Sequence, residues 1–388
     1  MVSYSGTGGP GSGHRPTGGA SPYRDLLSGF AIAAPTGRFR TGRTGGQILW
    51  RFLIDRWKAA GWPVVSEDEL APPPWIDRNP AFAAVWYRRA YGCLERGLLV
   101  FDQSMAGRLR LLVSHLRTKP GVRILVVVQH LNEAFRFSHP VYEKLLRRNE
   151  RTVLRAADRI IVHTAIERDL IVNRGVSPES ISVIPIGVRP VGSRVDVRDL
   201  GSGESLRLLW VGGDFVRKGM GYLLEAMALC RPPRPRLTVV GKPENEQALS
   251  AARARVEALH LNDAVRFLGY VSGEDLDRHW ASHDVFVQPS LHEGHGSALD
   301  EALLRGYPVA ASDLPVFRER LEPGDVAFFP PGDATALASA LEEMRDGAVR
   351  RRLAASAYRR AMSFPAWEDT LRGYDAVLER ERALVRAR

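Results

Sequence analysis

DVFVQPSLHEGHGSALDEAL, residues 284–303, reads in three parts. DVFVQPS is a short apolar run with the β-branched and aromatic content of a strand. Glu293-Gly294-His295-Gly296 is a loop, and a helix is expected from about Ser297. Its two glycines let backbone approach a ligand closely, and the new helix directs unpaired N–H groups and a positive dipole end at the same place. Glu293 lies in the loop, and Glu301 falls just over one turn into the helix. Two carboxylates thus flank a position suited to an anionic, hydroxyl-rich ligand. Taken alone, Ser297 also reads as an ordinary N-cap with Asp300 three residues on, and Glu301 as a solvated helix residue.

The same strand, loop and helix order recurs on both sides of this stretch. After it comes YPVAASD. Before it come LRLLWVGG, a helix through GYLLEAMALC, RLTVVG, a helix around 245–259, AVRFLG and a helix near 273–282. Further upstream, AIAAP, GLLVFD (97–102), VRILVVVQH (122–130), RIIVHT (159–164) and ISVIPIGV (181–188) read as strands. Several are apolar on consecutive positions, as in parallel sheets covered on both faces. Trp50, Leu53, Ile54 and Trp57 recur on one helix face, and 142–157 is helical. Residues 189–205 are polar, glycine-bearing and without periodicity. The expected organisation is a disordered Gly/Ser-rich tail (1–28), a first α/β domain (29–190) and a linker (191–205). A second α/β domain (206–366) follows, then a terminal amphipathic helix (about 367–388) crossing back to the first. Each domain is a doubly wound, Rossmann-like parallel sheet, and in such sheets ligands bind beyond the carboxyl ends of the strands.

Charge divides the chain. Residues 1–200 hold 29 Lys/Arg against 17 Asp/Glu, and the remainder 25 against 27. The first half is therefore the side suited to an anion, unless the arginines only reflect a GC-rich genome. The cysteines, Cys93 and Cys230, form neither a disulfide framework nor a zinc spacing. No segment approaches the roughly 18 uncharged apolar residues that span a bilayer, and no signal peptide pattern opens the chain. The expected location is cytoplasmic, with peripheral contact at the inner membrane face left open.

Four further stretches carry chemistry. In VGGDFVRKG (211–219), Arg217 and Lys218 bring two cations to a glycine-bounded turn after a strand, where they suit a leaving diphosphate. TGRTGG (41–46) enters a helix at Gly45 and Gly46, beside Arg38, Arg40 and Arg43. His130 ends a strand in VVVQHLNE, with Glu133 close by, and Asp102 ends another. VRFLGYVS (265–272) is the fourth. No carboxylate pair or His/Cys cluster marks a metal site.

Together these residues resemble the GT-B fold glycosyltransferases, in particular the large retaining family 4. RAADRIIVHTAIERDLI, VIPIGV, WVGGDFVRKG, LTVVGK, VRFLGYV and PSLHEGHGSALDEAL stand in that family's order and spacing, over about residues 155–320 and more loosely beyond. The resemblance implies two domains facing across a cleft and a nucleoside-diphosphate sugar, UDP or GDP type, as donor. Transfer would go to an acceptor hydroxyl with retention of configuration and without metal or other cofactor. It makes Glu293 the contact to the transferred sugar, with His295, and Glu301 the contact to the ribose. Lys218 binds the diphosphate, with Arg217 in place of the family arginine that is Gly213 here. Gly45, Gly46, Gly296 and Ser297 face the donor, Val271 the base, and His130 the reacting sugar. VIPIGVR departs from the family's Asn and Asp at Ile186 and Arg189. The acceptor stays open, anionic and membrane-associated molecules included. Two other readings remain: a nucleotide-sugar epimerase of the same fold, and a basic nucleic-acid-binding protein, for which no known motif stands out.

Overall fold

The computed structural model describes residues 27, 29–35, 45–66, 72, 73, 76, 79–129, 131, 140–201 and 203–387. Expectations for the tail, Arg38, Arg40, Arg43, His130 and Glu133 lie outside these residues. Among the described residues the strands form two six-stranded sheets, parallel throughout.

The first sheet contains β1 (Phe30–Ala34), β2 (Val64–Ser66), β3 (Arg96–Asp102), β4 (Val122–Val127), β5 (Arg159–Val162) and β6 (Ile181–Val183), in the order β2-β1-β3-β4-β5-β6. Its helices are α1 (Gly45–Ala59), α2 (Pro80–Tyr91), α3 (Ala106–Leu116), α4 (Pro140–Ala156) and α5 (Ala165–Val172). The second sheet contains β7 (Arg207–Val211), β8 (Arg236–Val240), β9 (Val265–Gly269), β10 (Val285–Gln288), β11 (Val309–Ser312) and β12 (Ala327–Phe329), in the order β12-β11-β10-β7-β8-β9. With it go α6 (Met220–Leu229), α7 (Glu246–Ala258), α8 (Glu274–Ser282), α9 (Ser297–Leu304), α10 (Pro315–Arg318), α11 (Ala334–Glu343) and α12 (Gly347–Ala361). This is the expected pair of doubly wound parallel sheets. The consecutive apolar runs are explained by burial on both faces: Leu98 to Phe101, and Leu125 to Val128, are fully buried.

α13 (Trp367–Arg386) closes the structure. It returns to the first sheet, where Leu371, Tyr374 and Leu378 pack with Trp50, Leu53 and Trp57 of α1. Its Glu381 is fully buried between Arg123, which donates to it from β4, and Arg159 of β5 at 3.0 Å. The chain crosses between the units twice, side by side. Val188 N donates to Pro365 O and Trp367 N to Val188 O, each at 2.9 Å. Gly187 permits this approach, since a Cβ there would overlap the Ala366 carbonyl. The described residues of 191–205 form no helix or strand, yet they are strapped along the second unit. Arg198 pairs with Asp284 at 2.7 Å, Val195 N bonds Arg305 O at 2.7 Å, and Arg350 donates to Arg198 O at 2.8 Å.

In the second sheet the chain winds from β7 to β9 on one side, then returns so that β10 lies on the other side of β7. The direction of winding reverses between β7 and β10, where an open α/β sheet leaves a crevice beyond its strand ends. The loops VGGDFVRKG and PSLHEGHG are the two that border it.

Candidate active site

The loop after β7 is folded by its own side chains. Asp214 takes a left-handed backbone (φ 54°), and its carboxylate accepts from Arg217 N at 3.1 Å and Arg217 Nε at 2.8 Å. Gly219 caps α6 with φ 71°, and a Cβ there would overlap the Pro289 carbonyl. Glycine is thus what lets this loop lie against the one after β10, and Leu291 N closes the contact on Arg217 O at 2.8 Å.

Glu293 sits at the centre. Lys218 Nζ meets its Oε1 at 2.7 Å and Arg217 Nη1 its Oε2 at 3.0 Å. Gln288 Nε2 and Ser290 Oγ also donate to Oε1, at 2.7 and 2.8 Å. The residue is 7% exposed. Burial alone would push its carboxyl up, but the two cations hold it well below the usual carboxylate range. Oε1 thus accepts three hydrogen bonds and Oε2 one, of the roughly two that each carboxylate oxygen offers. Glu293 therefore fixes the Lys218 and Arg217 head groups.

α9 begins at Ser297, as expected, but Gly296 is its N-cap, with φ 89°. A Cβ on Gly296 would crowd the Phe317 ring. Asp300 makes no capping box: it turns inward and pairs with His295 Nε2 at 2.6 Å and Arg320 Nη2 at 3.0 Å. His295 is thereby pinned between an acid and an arginine, and burial, aided by Arg320, lowers its pKa. Glu301 does not stand free on α9 either. Arg189 Nη2 reaches it at 3.0 Å from the first crossing between the units. Burial raises the Glu301 carboxyl, and Arg189 opposes the shift.

The first unit contributes the opposite wall. Gly46, at the start of α1, packs so tightly on Gln129 that a Cβ would collide with it. The glycine pair and the end of the β4 segment are thus brought together. Asp102 turns away from the cleft, accepting from Trp50 Nε1 at 3.3 Å and Ser104 N at 2.9 Å. Gly213 approaches the Lys242 carbonyl, and Val271 follows β9, half-buried beside an apolar cluster. Both units line a cavity of about 240 Å³, with Ile166 and Glu167 on one side and His292, Glu293 and Gly294 on the other.

Sequence reasoning found the two loops and the helix between them and missed the groups that hold them. Gln288, Ser290 and Asp214 lie inside the quoted motifs, but only tertiary contact shows that they face Glu293 and Arg217. Among the described residues no cluster of three His, Cys, Asp or Glu is placed to hold a metal, and no helix is long and apolar enough to cross a membrane. Cys230 is buried, and burial pushes its thiol up to about 11.

Comparison with known proteins agrees with this geometry. Residues 205–346 match the family model described as "Glycosyl transferases group 1", and residues 67–190 match "Glycosyltransferase Family 4". The phosphatidyl-myo-inositol mannosyltransferase of Mycobacterium leprae is 37% identical over 148 residues, 37% of this chain and 38% of that protein. The MMP alpha-(1->4)-mannosyltransferase of Mycolicibacterium hassiacum is 30% identical over 237 residues, 59% of this chain and 55% of that protein. The chain thus spans about half the length, or less, of these curated relatives. Among solved structures, sucrose-phosphate synthase of Thermosynechococcus elongatus superposes with a TM-score of 0.72 at 21% identity, over 91% of this chain and 99% of that one. Anabaena HepE in complex with UDP-glucose gives 0.67 at 17%, over 90% and 100%. These two share its fold. With both halves matched in order by models of one family, the chain belongs to the group 1, family 4 glycosyltransferases.

Proposed function

We propose that this protein transfers a sugar from a nucleoside-diphosphate sugar to an acceptor hydroxyl, in the cytoplasm and with retention of configuration. The observation that carries the reading is the convergence of Arg217, Lys218 and the start of α9 at the reversal point of the second sheet. As the bond from the anomeric carbon to the diphosphate breaks, negative charge grows on the leaving oxygens. Two cations already held in the site by Glu293 turn their hydrogen bonds to the diphosphate and stabilise that charge, and the helix start adds its dipole. The acceptor oxygen forms the new bond to the anomeric carbon, and its proton leaves with the diphosphate.

In this reading the donor competes with Glu293 for Lys218 and Arg217, and a sugar hydroxyl takes up the lone pair that is released. Glu301 receives the ribose once Arg189 yields it. Val271 lies along the base, Gly45 and Gly46 face the diphosphate from the first unit, and His130 faces the reacting sugar. His295 shapes the loop from behind, through Asp300 and Arg320. The cations take the charge-neutralising role of a metal, so the reaction runs without one. The UDP and UDP-glucose seen in the HepE complexes support a uridine donor as the first to test.

Thermal-shift measurements against UDP, GDP, dTDP and their sugars test the donor, because a ligand of the folded state raises the melting point. Product analysis follows, with and without EDTA. Transfer that persists in EDTA is expected. An absence of any nucleotide-sugar binding would overturn the reading.

A further inference from the structure

α5 turns an apolar stripe to the cleft. Ile166 and Leu170 stand one turn apart on it, and Leu170 is 44% exposed there. Leu314, Pro315 and Val316 face them from the start of α10, and Leu131 closes one end. The polar edge of the cavity is the backbone and side chains of His292 to Gly294, together with Glu167 and Thr164. Glu167 uses one oxygen to accept from His163 N at 3.1 Å, and Thr164 caps α5 by accepting from Glu167 N at 3.1 Å. The position of α10 relative to α5 is fixed by Glu319, whose carboxylate accepts from Ala165 N across the cleft at 2.7 Å.

Two features restrict what fits. A hydroxyl or phosphate pressed on Ile166, Leu170 and Val316 would give up water and find no partner. Among the described residues, the cations near the cavity are engaged: Arg174 by Glu150 at 3.3 Å, and Arg217 and Lys218 by Glu293. At about 240 Å³ the space exceeds the roughly 150 Å³ that encloses one benzene ring, so it has room for a single substituted ring.

We propose that this cavity is the acceptor site, and that the acceptor is an uncharged alcohol with a compact apolar ring or branched group beside its hydroxyl. The apolar body lies on α5 and α10, and the hydroxyl points to the His292–Gly294 loop. There its oxygen bonds to the anomeric carbon while the bond to the diphosphate breaks, and the proton departs with the diphosphate. The inference takes its reaction from the glycosyl-transfer reading, but its binding site stands separately.

The test uses radiolabelled UDP-glucose and GDP-mannose with four acceptors: 4-methylcyclohexanol, phenol, myo-inositol and myo-inositol 1-phosphate. The apolar pair is expected to exceed the inositols in kcat/KM by roughly tenfold or more. Leu170→Asp, at a half-exposed helix position, is expected to lower the ratio of transfer to donor hydrolysis by a similar factor. Leu170→Phe, which narrows the cavity while keeping it apolar, should move preference toward phenol. Better transfer to the inositols, or an unchanged ratio in folded Leu170→Asp, overturns the proposal. If the wild type turns over neither donor, the donor lies outside these two and the cavity is read by binding alone. Calorimetry with 4-methylcyclohexanol then decides the cavity: binding lost in Leu170→Asp supports it, and no binding by the wild type overturns it.

Discussion

Arg189 and Glu301 stand 3.0 Å apart, one where the chain first leaves its amino-terminal unit and the other on the helix behind the donor loop. Val188 is bonded to the returning strand at Pro365 and Trp367, so this ion pair ties a carboxylate of the site to the double crossing that links the units. Burial pushes Glu301 toward its neutral form and Arg189 opposes it. In Arg189→Ala the carboxyl should therefore protonate more readily, and the donor KM should worsen more between pH 8 and pH 6 than in the wild type. Parallel KM profiles in the two proteins would show that Arg189 does not act on this carboxylate.

Lys218→Ala should lower turnover by about 10²–10³, the loss typical of removing one fixed donor from a developing anion. Steady-state kinetics on protein with native circular dichroism measures it.

Glu293→Gln should act first on stability. It leaves the largely buried Lys218 without its counter-charge and Arg217 with Asp214 alone, and breaking such a group costs about 3–5 kcal/mol. Urea unfolding reads this directly, and a midpoint matching the wild type would mean that the cations find other partners.

Burial raises Glu167 from 4.5 to about 7 and lowers neighbouring His163 from 6.5 to about 4. The folded chain keeps the Glu167 proton that an unfolded one releases. The stability from Glu167 is thus fully present below about pH 4.5 and lost as pH rises through about 7. His163 has the opposite sign: its share is present above about pH 6.5 and lost as pH falls toward 4. Glu167→Gln keeps an oxygen for His163 N–H but cannot ionise. Relative to wild type its stability should climb by about 3 kcal/mol between pH 4.5 and 7, measured by denaturant unfolding across that range.

The layered fold was legible because several of its strands are apolar on consecutive positions, and the loops of the site because glycines, cations and carboxylates cluster just after strands. Other parts carried signals that the reading passed over. Asn79-Pro80 marks the start of α2, with Asn79 accepting from Ala81 N at 3.0 Å. Asp333 and Asp346 cap α11 and α12. The three-residue strands β2 and β12 are too short for any periodicity. Nothing local foretells that Glu293 meets four donors or that Asp300 faces inward. Those facts depend on Arg217 and Arg320 arriving from elsewhere, and a one-dimensional pattern holds no record of such meetings. Arg189 stood out as a departure at a position where the family has an acid, and its partner became visible only once the crossings were placed.

The return of α13 to the first sheet has a consequence for biosynthesis. The tryptophans of α1 and the arginines Arg123 and Arg159 emerge from the ribosome long before Tyr374 and Glu381, which cover and neutralise them. At roughly 5–20 residues per second, the amino-terminal unit waits on the order of 10–40 s with an apolar groove and two arginines that still lack Glu381 on one face. The second unit, contiguous from β7 to α12, needs no such delay. Maturation of the newborn chain should therefore run against the direction of synthesis, the later-made half settling first and the earlier half being sealed last.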